Sequence, residues 1–221
     1  MTNKVKNQVL KYFQNQKLFG FKYHEDVNLN LQSSCDMSLP NSLEALKQRV
    51  DNCYLCELSK GRKNTLFGYG NPQSKIVFVC DEPSIIEGEV GAFYAGKSGE
   101  LLSKMIENVL NIKKEEIYIT NLVKCKGVVE ATISDFESCS CYFFKQLELI
   151  SPKIIVAVGE KVYSFLLKND SFIQNRGKAL NLNKYIVIPI FSPVYLIKNP
   201  SLKKDTYLDM LKIKYLYEES R

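Results

Sequence analysis

The sequence predicts an α/β protein, a three-layer α/β/α sandwich with a central, mostly parallel four-stranded sheet. Four short apolar runs rich in Ile and Val recur along the chain, and segments with helical spacing of apolar residues separate them. Apolar runs of five or six residues are typical of strands that are buried on both faces. Their alternation with helices indicates parallel strands joined by helical crossovers.

Each element follows from its local pattern. The strands are predicted at residues 75–79, 117–121, 153–158 and 185–190. Helices are predicted at residues 4–19, 43–53, 99–110, 134–150, 160–167 and 201–218, where apolar residues recur every three or four positions. Ser134 and Glu137 form a capping-box pattern at the start of the fourth helix, and Ser201 is expected to cap the last one.

The chain is expected to have two parts, an N-terminal helix with a polar linker (residues 1–41) and a single α/β domain (residues 42–221). A length of 221 residues suits one domain with a small appendage. No apolar run approaches the roughly 20 residues of a membrane span. The N-terminal residues lack the apolar core of a secretory signal, so a reducing, cytoplasmic location is expected.

Composition excludes some classes of protein. Hydrophobic residues make up 45% of the chain, which excludes global disorder. The net charge of +6 is compatible with a polyanionic partner. The one histidine, His24, excludes a His-rich metal site.

Polar residues and a glycine follow the four predicted strands. Asp81 and Glu82 come after the first strand, Asn121 ends the second, Gly159 follows the third and Ser192 follows the fourth. Ligands of open parallel sheets bind outside the carboxyl ends of the strands. The sequence therefore predicts a binding site at this edge.

The seven cysteines include one pair with metal-ligand spacing. Cys53 and Cys56 are separated by two residues, which places two thiolates within reach of one metal centre. Cys125 and Cys139 are candidates for the other two ligands of a four-thiolate site, and Cys141, Cys80 and Cys35 are left over. From the residues alone, structural zinc is the first interpretation, and a redox motif remains open.

Six ordered segments between Leu43 and Leu211 together resemble the family 4 uracil-DNA glycosylases, the iron–sulfur branch of the uracil glycosylase superfamily. They read NCYLCELSKGRKNTLFGYGNP, KIVFVCDEPS, GAFYAGKSGELLSKMI, IYITNLVKCK, SCSCYFFKQLELISPKIIVAVGEKV and FSPVYLIKNP. The resemblance implies a DNA-repair hydrolase that flips a uracil base out of DNA and cleaves its N-glycosidic bond.

The resemblance also implies a [4Fe–4S] cluster, with Zn as the alternative metal. Its ligands would be Cys53, Cys56, Cys125 and Cys139. Alignment with the family from Gln146 backwards places Cys139 on the ligand position and Cys141 on a position that is often proline, and Cys141 is the alternative ligand.

For the reaction itself, the resemblance assigns roles at the carboxyl edge of the sheet. Asp81 takes the place of the family's carboxylate, which orients water or stabilises the sugar cation, and the adjacent Glu82 is a possible substitute. Asn121 would read the uracil edge, and Tyr94 takes the place of the stacking aromatic. Ser192 aligns with the family's catalytic histidine, and serine is a neutral donor for uracil O2.

A second departure from the family pattern is a short segment between Cys125 and Cys139, which lacks the common Pro-Pro-Gly-Asn-Arg sequence. DNA contacts are expected from Lys198, Lys124 and Arg62, and the protein is expected to act as a monomer without a membrane partner. Two alternatives remain open. Ser192 and the missing segment favour a weakened or inactive member that binds DNA or a replication partner, and the changes around Asp81 and Glu82 favour a glycosylase for another damaged base.

Overall fold

One six-stranded sheet forms the centre of the computed structural model, which describes residues 39–168 and 171–219. In chain order the strands are β1 (Tyr69–Gly70), β2 (Ile76–Cys80), β3 (Tyr118–Asn121), β4 (Ile154–Val158), β5 (Leu180–Leu182) and β6 (Tyr185–Ile190). Across the sheet the order is β1-β3-β2-β4-β6-β5. The helix expected at residues 4–19 lies outside the described residues.

The four central strands confirm the predicted parallel sheet. β2 pairs in parallel with β3 and β4, and β4 pairs in parallel with β6. All their carboxyl ends therefore meet at one edge, where the sequence places its candidate site. No helix of the described residues is long and apolar enough to cross a membrane.

The predicted number of four strands is wrong, because two short antiparallel strands flank the parallel core. β1 pairs with β3, and β5 pairs with β6. Each is only two or three residues long, too short for a pattern of alternating hydrophobicity. A two-residue turn with Asn183 at φ 52° connects β5 to β6, and Asn tolerates this left-handed backbone better than most residues.

Nine α-helices lie in the described residues. They are α1 (Leu43–Asp51), α2 (Leu58–Gly61), α3 (Ile85–Val90), α4 (Gly96–Met105), α5 (Ile133–Ile150), α6 (Glu160–Leu167), α7 (Phe172–Asn175), α8 (Pro193–Lys198) and α9 (Lys203–Glu219). A π-helical segment, Ile106–Leu110, continues α4. The longer helices match the predicted ones, whereas α2, α3, α7 and α8 have at most six residues each and were not predicted.

Two predicted helix caps are wrong. The capping box of α5 consists of Thr132 and Asp135, not Ser134 and Glu137, because two overlapping capping patterns stand in this segment and the helix begins at the earlier one. Ser201 lies inside a 3₁₀ turn, Pro200–Leu202, that leads into α9, so it does not cap that helix.

Helices cover both faces of the sheet, which confirms the three layers. On one face, Phe78 and Val156 pack in a single apolar cluster with Ile106 after α4 and with Ile213 of α9. On the other face, the α5 residue Gln146 hydrogen-bonds to β3, and α6 packs on β4. This packing fixes the strand ends, and with them the loops that carry the candidate site.

Candidate active site and cysteine pocket

The carboxyl edge of the sheet brings the predicted residues onto neighbouring strands. Cys80, which precedes Asp81, is paired in register with Asn121. A Cβ atom added at Gly159 would lie 3.2 Å from Cβ of Ser192, so the ends of β4 and β6 are also in contact. Backbone N–H groups of Leu122 and Val123 donate to the carbonyls of Cys80 and Asp81 and fix the loop after β3 against the end of β2.

The Asp81 carboxyl is partly buried at this edge, with 33% of its side chain exposed. Burial raises its pKa above the usual range, and a backbone N–H of Glu82 and the ammonium of Lys161 oppose that rise. Lys161 belongs to the first turn of α6, and its Nζ lies 3.9 Å from Oδ2 of Asp81. The sequence reasoning missed Lys161, although its position two residues after Gly159 placed it at the same edge.

Asn121 carries the clearest sign of a binding function. Its side chain is 2% exposed, and its Nδ2 has no hydrogen-bond partner. A buried donor without a partner costs about 1–3 kcal/mol, so such groups are rare in folded proteins and mark ligand contacts. Its backbone carbonyl accepts from Nζ of Lys124, which holds the end of β3 in place.

Tyr94 is held rigidly between α3 and α4. Its backbone has φ 66°, and its N–H donates to Oε1 of Glu87 at 2.9 Å. Glu87 also completes the capping box of α3 with Ser84, a pattern that is visible in the sequence. A side chain at Gly99 would overlap the backbone of Tyr94, so only glycine fits there.

The ring of Tyr94 packs edge-on against Tyr69, with 6.0 Å between the ring centroids, and is mostly buried. Its hydroxyl is a second buried polar atom without a partner. Burial raises the phenol pKa well above its usual range, so the hydroxyl stays protonated and able to donate. Stacking of a base on this ring stays a prediction, since most of the ring lies in the core.

Ser192 is the N-cap of α8, the helix that starts directly after β6. Its Oγ accepts from the backbone N–H of Tyr195 at 3.3 Å. A hydroxyl has one hydrogen and two lone pairs, so capping still leaves the O–H able to donate. At this position the structure therefore offers a neutral donor.

Glu82 has a structural role, and its contact with the substrate stays a prediction. One carboxylate oxygen forms an ion pair with Lys126 at 2.9 Å, and the other accepts from the backbone N–H of Ala131 at 3.1 Å. Both partners belong to the short segment between Cys125 and Cys139. The carboxylate is used to fix that segment, which the sequence alone did not indicate.

The structure contradicts one of the three predicted DNA contacts, Lys124. Lys124 is fully buried, and its ammonium donates to Thr120, Asn121 and Gln146. Burial lowers its pKa to about 7. A phosphate contact requires an exposed cation, and a run of residues such as VKCK does not reveal which lysine is buried.

Arg62 is partly buried and hydrogen-bonds within the protein, and its DNA contact stays a prediction. Its guanidinium donates to the carbonyls of Asp51 and Cys53 and to Sγ of Cys125. Lys198, by contrast, is exposed at the end of α8, the helix that Ser192 begins, so it stays a predicted DNA contact.

The four cysteines expected as ligands line one pocket, and Cys141 does not line it. Cys53 and Cys56 come from the connection between α1 and α2, Cys125 from the loop after β3, and Cys139 from α5. Within residues 39–168 and 171–219, no three His, Cys, Asp or Glu side chains converge as ligands of one metal ion. The thiols instead surround a shared space.

N–H donors and charge surround these sulfur atoms. Cys53 Sγ accepts from the backbone N–H of Leu55 at 3.5 Å, and Cys125 Sγ accepts from Arg62 at 3.3 Å. Burial raises the thiol pKa of Cys139 to about 12, and the nearby ammonium of Lys124 opposes that rise. Donors and cations of this kind stabilise thiolates, the form that binds metal.

Comparison with known proteins agrees with this geometry. The family model described as "Uracil DNA glycosylase superfamily" matches residues 67–212. The chain is 34% identical to the type-4 uracil-DNA glycosylase of Sulfurisphaera tokodaii over 187 residues, which are 80% of this chain and 85% of that protein. It is 35% identical to the type-4 uracil-DNA glycosylase of Thermotoga maritima over 164 residues, 72% of this chain and 85% of that protein.

A more distant similarity joins the chain to a DNA polymerase of Bacillus phage SP01, at 26% identity over 148 residues, 66% of this chain and 16% of that protein. The family model spans most of the described α/β domain, including Asp81, Asn121 and Ser192. By these matches, the chain belongs to the uracil-DNA glycosylase superfamily and, within it, to the type-4 branch.

Proposed function

We propose that the protein is a DNA-repair glycosylase that hydrolyses the N-glycosidic bond between uracil and deoxyribose in DNA. The observation that carries this proposal is the unpartnered Nδ2 of buried Asn121, on the strand next to Asp81. An amide donor held without a partner beside a carboxylate suits a site that receives a flipped base. Relatives named as type-4 uracil-DNA glycosylases support the same activity.

Asn121 is the residue that selects uracil. Its Nδ2 donates to O4 of the base, and its Oδ1 accepts from N3–H. Cytosine presents the reverse pattern at these two positions, an amino donor and a ring acceptor. The amide therefore pairs with uracil and leaves cytosine with two mismatched hydrogen bonds, and such mismatches in a buried site discriminate strongly.

Asp81 supplies the negative charge that the reaction needs. Glycosidic cleavage passes through a transition state that resembles an oxocarbenium ion, which a carboxylate stabilises while it orients the attacking water. Burial strengthens this electrostatic interaction. Because burial also raises the pKa of Asp81, the active ionised form is lost when the pH falls through that raised value.

Ser192 donates to uracil O2 as negative charge develops on the departing base. Loss of one such donor typically costs about 10²–10³-fold in rate, and a neutral hydroxyl is a weaker donor than a charged group. The capping bond from Tyr195 orients Oγ but leaves its hydrogen for the base. We therefore expect slow but measurable excision.

The four pocket cysteines fit a [4Fe–4S] cluster by their donor set, and Cys53, Cys56, Cys125 and Cys139 would hold it. When bound, the cluster supplies a covalent cross-link between the α1–α2 connection, the loop after β3 and α5. Lys124 lies between this pocket and Asn121, so the same link steadies the end of β3. Metal and sulfide analysis of the purified protein separates a cluster from the alternative, zinc.

DNA binding rests on exposed cations near the sheet edge, with Lys198 as the leading candidate. The net charge of +6 favours association with phosphate and makes binding weaker at high salt. The protein is proposed to act as a monomer, because one chain carries every residue assigned to the site. Its proposed location is the cytoplasm.

A second candidate is a weakened family member that serves mainly to bind DNA or a replication partner. Ser192 in the histidine position and the short segment after Cys125 favour it, as does the similarity to a phage DNA polymerase. A third candidate is a glycosylase for another damaged base.

Product analysis separates these three candidates. Cluster-loaded protein in excess is incubated with oligonucleotides that contain uracil, hypoxanthine, xanthine or an alkylated base, and the released base is identified by mass. Release of uracil alone supports the proposal, and release of another base supports the third candidate. Binding without any release, unchanged in Asp81→Asn, supports the second. If uracil alone is released, Ser192→His is expected to increase the rate of uracil release.

A further inference from the structure

Lys161 connects the active-site carboxylate to the short segment that replaces the family's Asn-Arg sequence. Its Nζ lies 3.9 Å from Oδ2 of Asp81 and 3.2 Å from Oε2 of Glu130. It stands in the first turn of α6, two residues after Gly159, and its side chain is about half exposed. One ammonium thus bridges two acidic groups from different loops.

We infer that Lys161 is a positioning residue for Asp81: its ammonium orients the carboxylate and keeps it ionised at the sheet edge. The inference rests on the proposed function, because that function gives Asp81 its catalytic role. The contact between Lys161 and Asp81 is independent of it. What gives this contact its meaning is its place, since Asp81 stands at the carboxyl edge of the sheet, directly after β2.

The groups around Asp81 leave Lys161 as its cationic neighbour. On its own segment stand Cys80 and Glu82, and burial raises the pKa of the Cys80 thiol, so that group is neutral. Glu82 is anionic but is paired with Lys126. Across from this segment, α6 contributes Lys161, with Glu130 behind it.

The expected effect of removing the charge follows from these contacts. An opposite charge within about 4–6 Å lowers a carboxyl pKa by about 1–3 units, and partial exposure of Lys161 places the effect at the lower end. Lys161→Met is therefore expected to raise the pKa of Asp81 by about one unit. Lys161→Arg keeps the charge and is expected to keep the pKa.

The test is a carboxyl titration that does not depend on activity. Protein labelled with ¹³C at the Asp carboxyls is titrated by NMR, and the signal that is missing in Asp81→Asn identifies Asp81. Lys204→Met, which removes an exposed charge from α9, is the matched control. Circular dichroism at each pH confirms that every variant is folded.

A higher Asp81 midpoint in Lys161→Met, with normal midpoints in Lys161→Arg and Lys204→Met, supports the inference. An unchanged midpoint in Lys161→Met overturns it, even if that variant binds DNA with a weaker salt dependence, because Lys161 would then contact phosphate only. If Lys161→Met does not fold, Lys161→Gln replaces it.

Kinetics separate this inference from the proposed function. If the protein releases uracil, the acidic limb of the kcat/KM profile is expected to move to higher pH in Lys161→Met, by the same amount as the NMR midpoint. If the wild type releases no uracil, the proposed function fails, while the NMR titration still decides the role of Lys161.

Discussion

Replacing Asn121 with leucine is expected to stabilise the protein while removing its activity. The buried Nδ2 of Asn121 has no partner, and an orphaned donor of this kind costs about 1–3 kcal/mol in the free protein. Leucine has a similar size and no polar atom, so Asn121→Leu is expected to raise the free energy of unfolding by about 1–2 kcal/mol. For a domain of this length, each kcal/mol raises Tm by about 2–4 °C.

The neighbouring residue provides a matched control of opposite sign. The Thr120 hydroxyl is also buried, but it donates to the carbonyl of Phe67 and accepts from Lys124. Thr120→Val removes both bonds, although Gln146 still donates to the Phe67 carbonyl and Lys124 keeps two other acceptors. It is expected to lower the free energy of unfolding by about 0.5–1.5 kcal/mol, the usual net value of a buried hydrogen bond. Comparing Asn121→Leu with Thr120→Val therefore distinguishes a donor that is kept free for a ligand from a hydroxyl that stabilises the fold.

The assay combines denaturant unfolding with single-turnover release of uracil. Asn121→Leu loses two hydrogen bonds to the base, which together are worth about 10²-fold or more in rate. The reasoning would be refuted if Asn121→Leu were destabilised as strongly as Thr120→Val and still released uracil at the wild-type rate.

Three further predictions follow from the structure. Gly99→Ala forces a Cβ into the backbone of Tyr94 and is expected to lower the free energy of unfolding by at least about 2 kcal/mol, measured by thermal unfolding. The control Gly61→Ala, whose Cβ would lie 3.2 Å from a methyl group of Val128, is expected to cost less, and equal losses in the two variants would contradict the prediction. Cys139→Ser is expected to abolish the bound iron measured by metal analysis, whereas Cys141→Ser is expected to keep it; the reverse result would make Cys141 the ligand. Lys198→Met is expected to weaken DNA binding equally for uracil and thymine oligonucleotides and to reduce the slope of log affinity against log salt by about one, and an unchanged slope would exclude a phosphate contact.

The parallel core of the fold was predictable because each central strand is a continuous apolar run, and such runs leave a strong signal. The edge strands were not, since β1 and β5 have two and three residues and form only by pairing with β3 and β6. Likewise, capping residues are visible in the sequence, but Thr132 and Ser134 offer overlapping patterns and only the path of the chain selects one.

Part of the candidate site could likewise be predicted from the sequence, and part could not. Asp81, Asn121 and Ser192 lie at the predicted edge because strand ends are fixed by the sheet. Side chains that act through distant partners were not predictable. Lys124 is buried by its contacts with β3 and α5, and the pairing of Lys161 with Asp81 joins the first turn of α6 to the loop after β2, about 80 residues apart in the sequence. Burial and pairing depend on the tertiary structure, and residue type alone does not reveal them.

The central claim is that Asp81 drives uracil release, and the pH dependence of single-turnover excision tests it most directly. The wild type is predicted to release uracil with a rate that falls on acidification through a midpoint above the ordinary Asp pKa of 3.8, because burial raises that pKa. Asp81→Asn is predicted to be slower by about 10²–10⁴-fold and to lack this acidic limb. Equal rates and equal pH profiles for the two proteins would contradict the account.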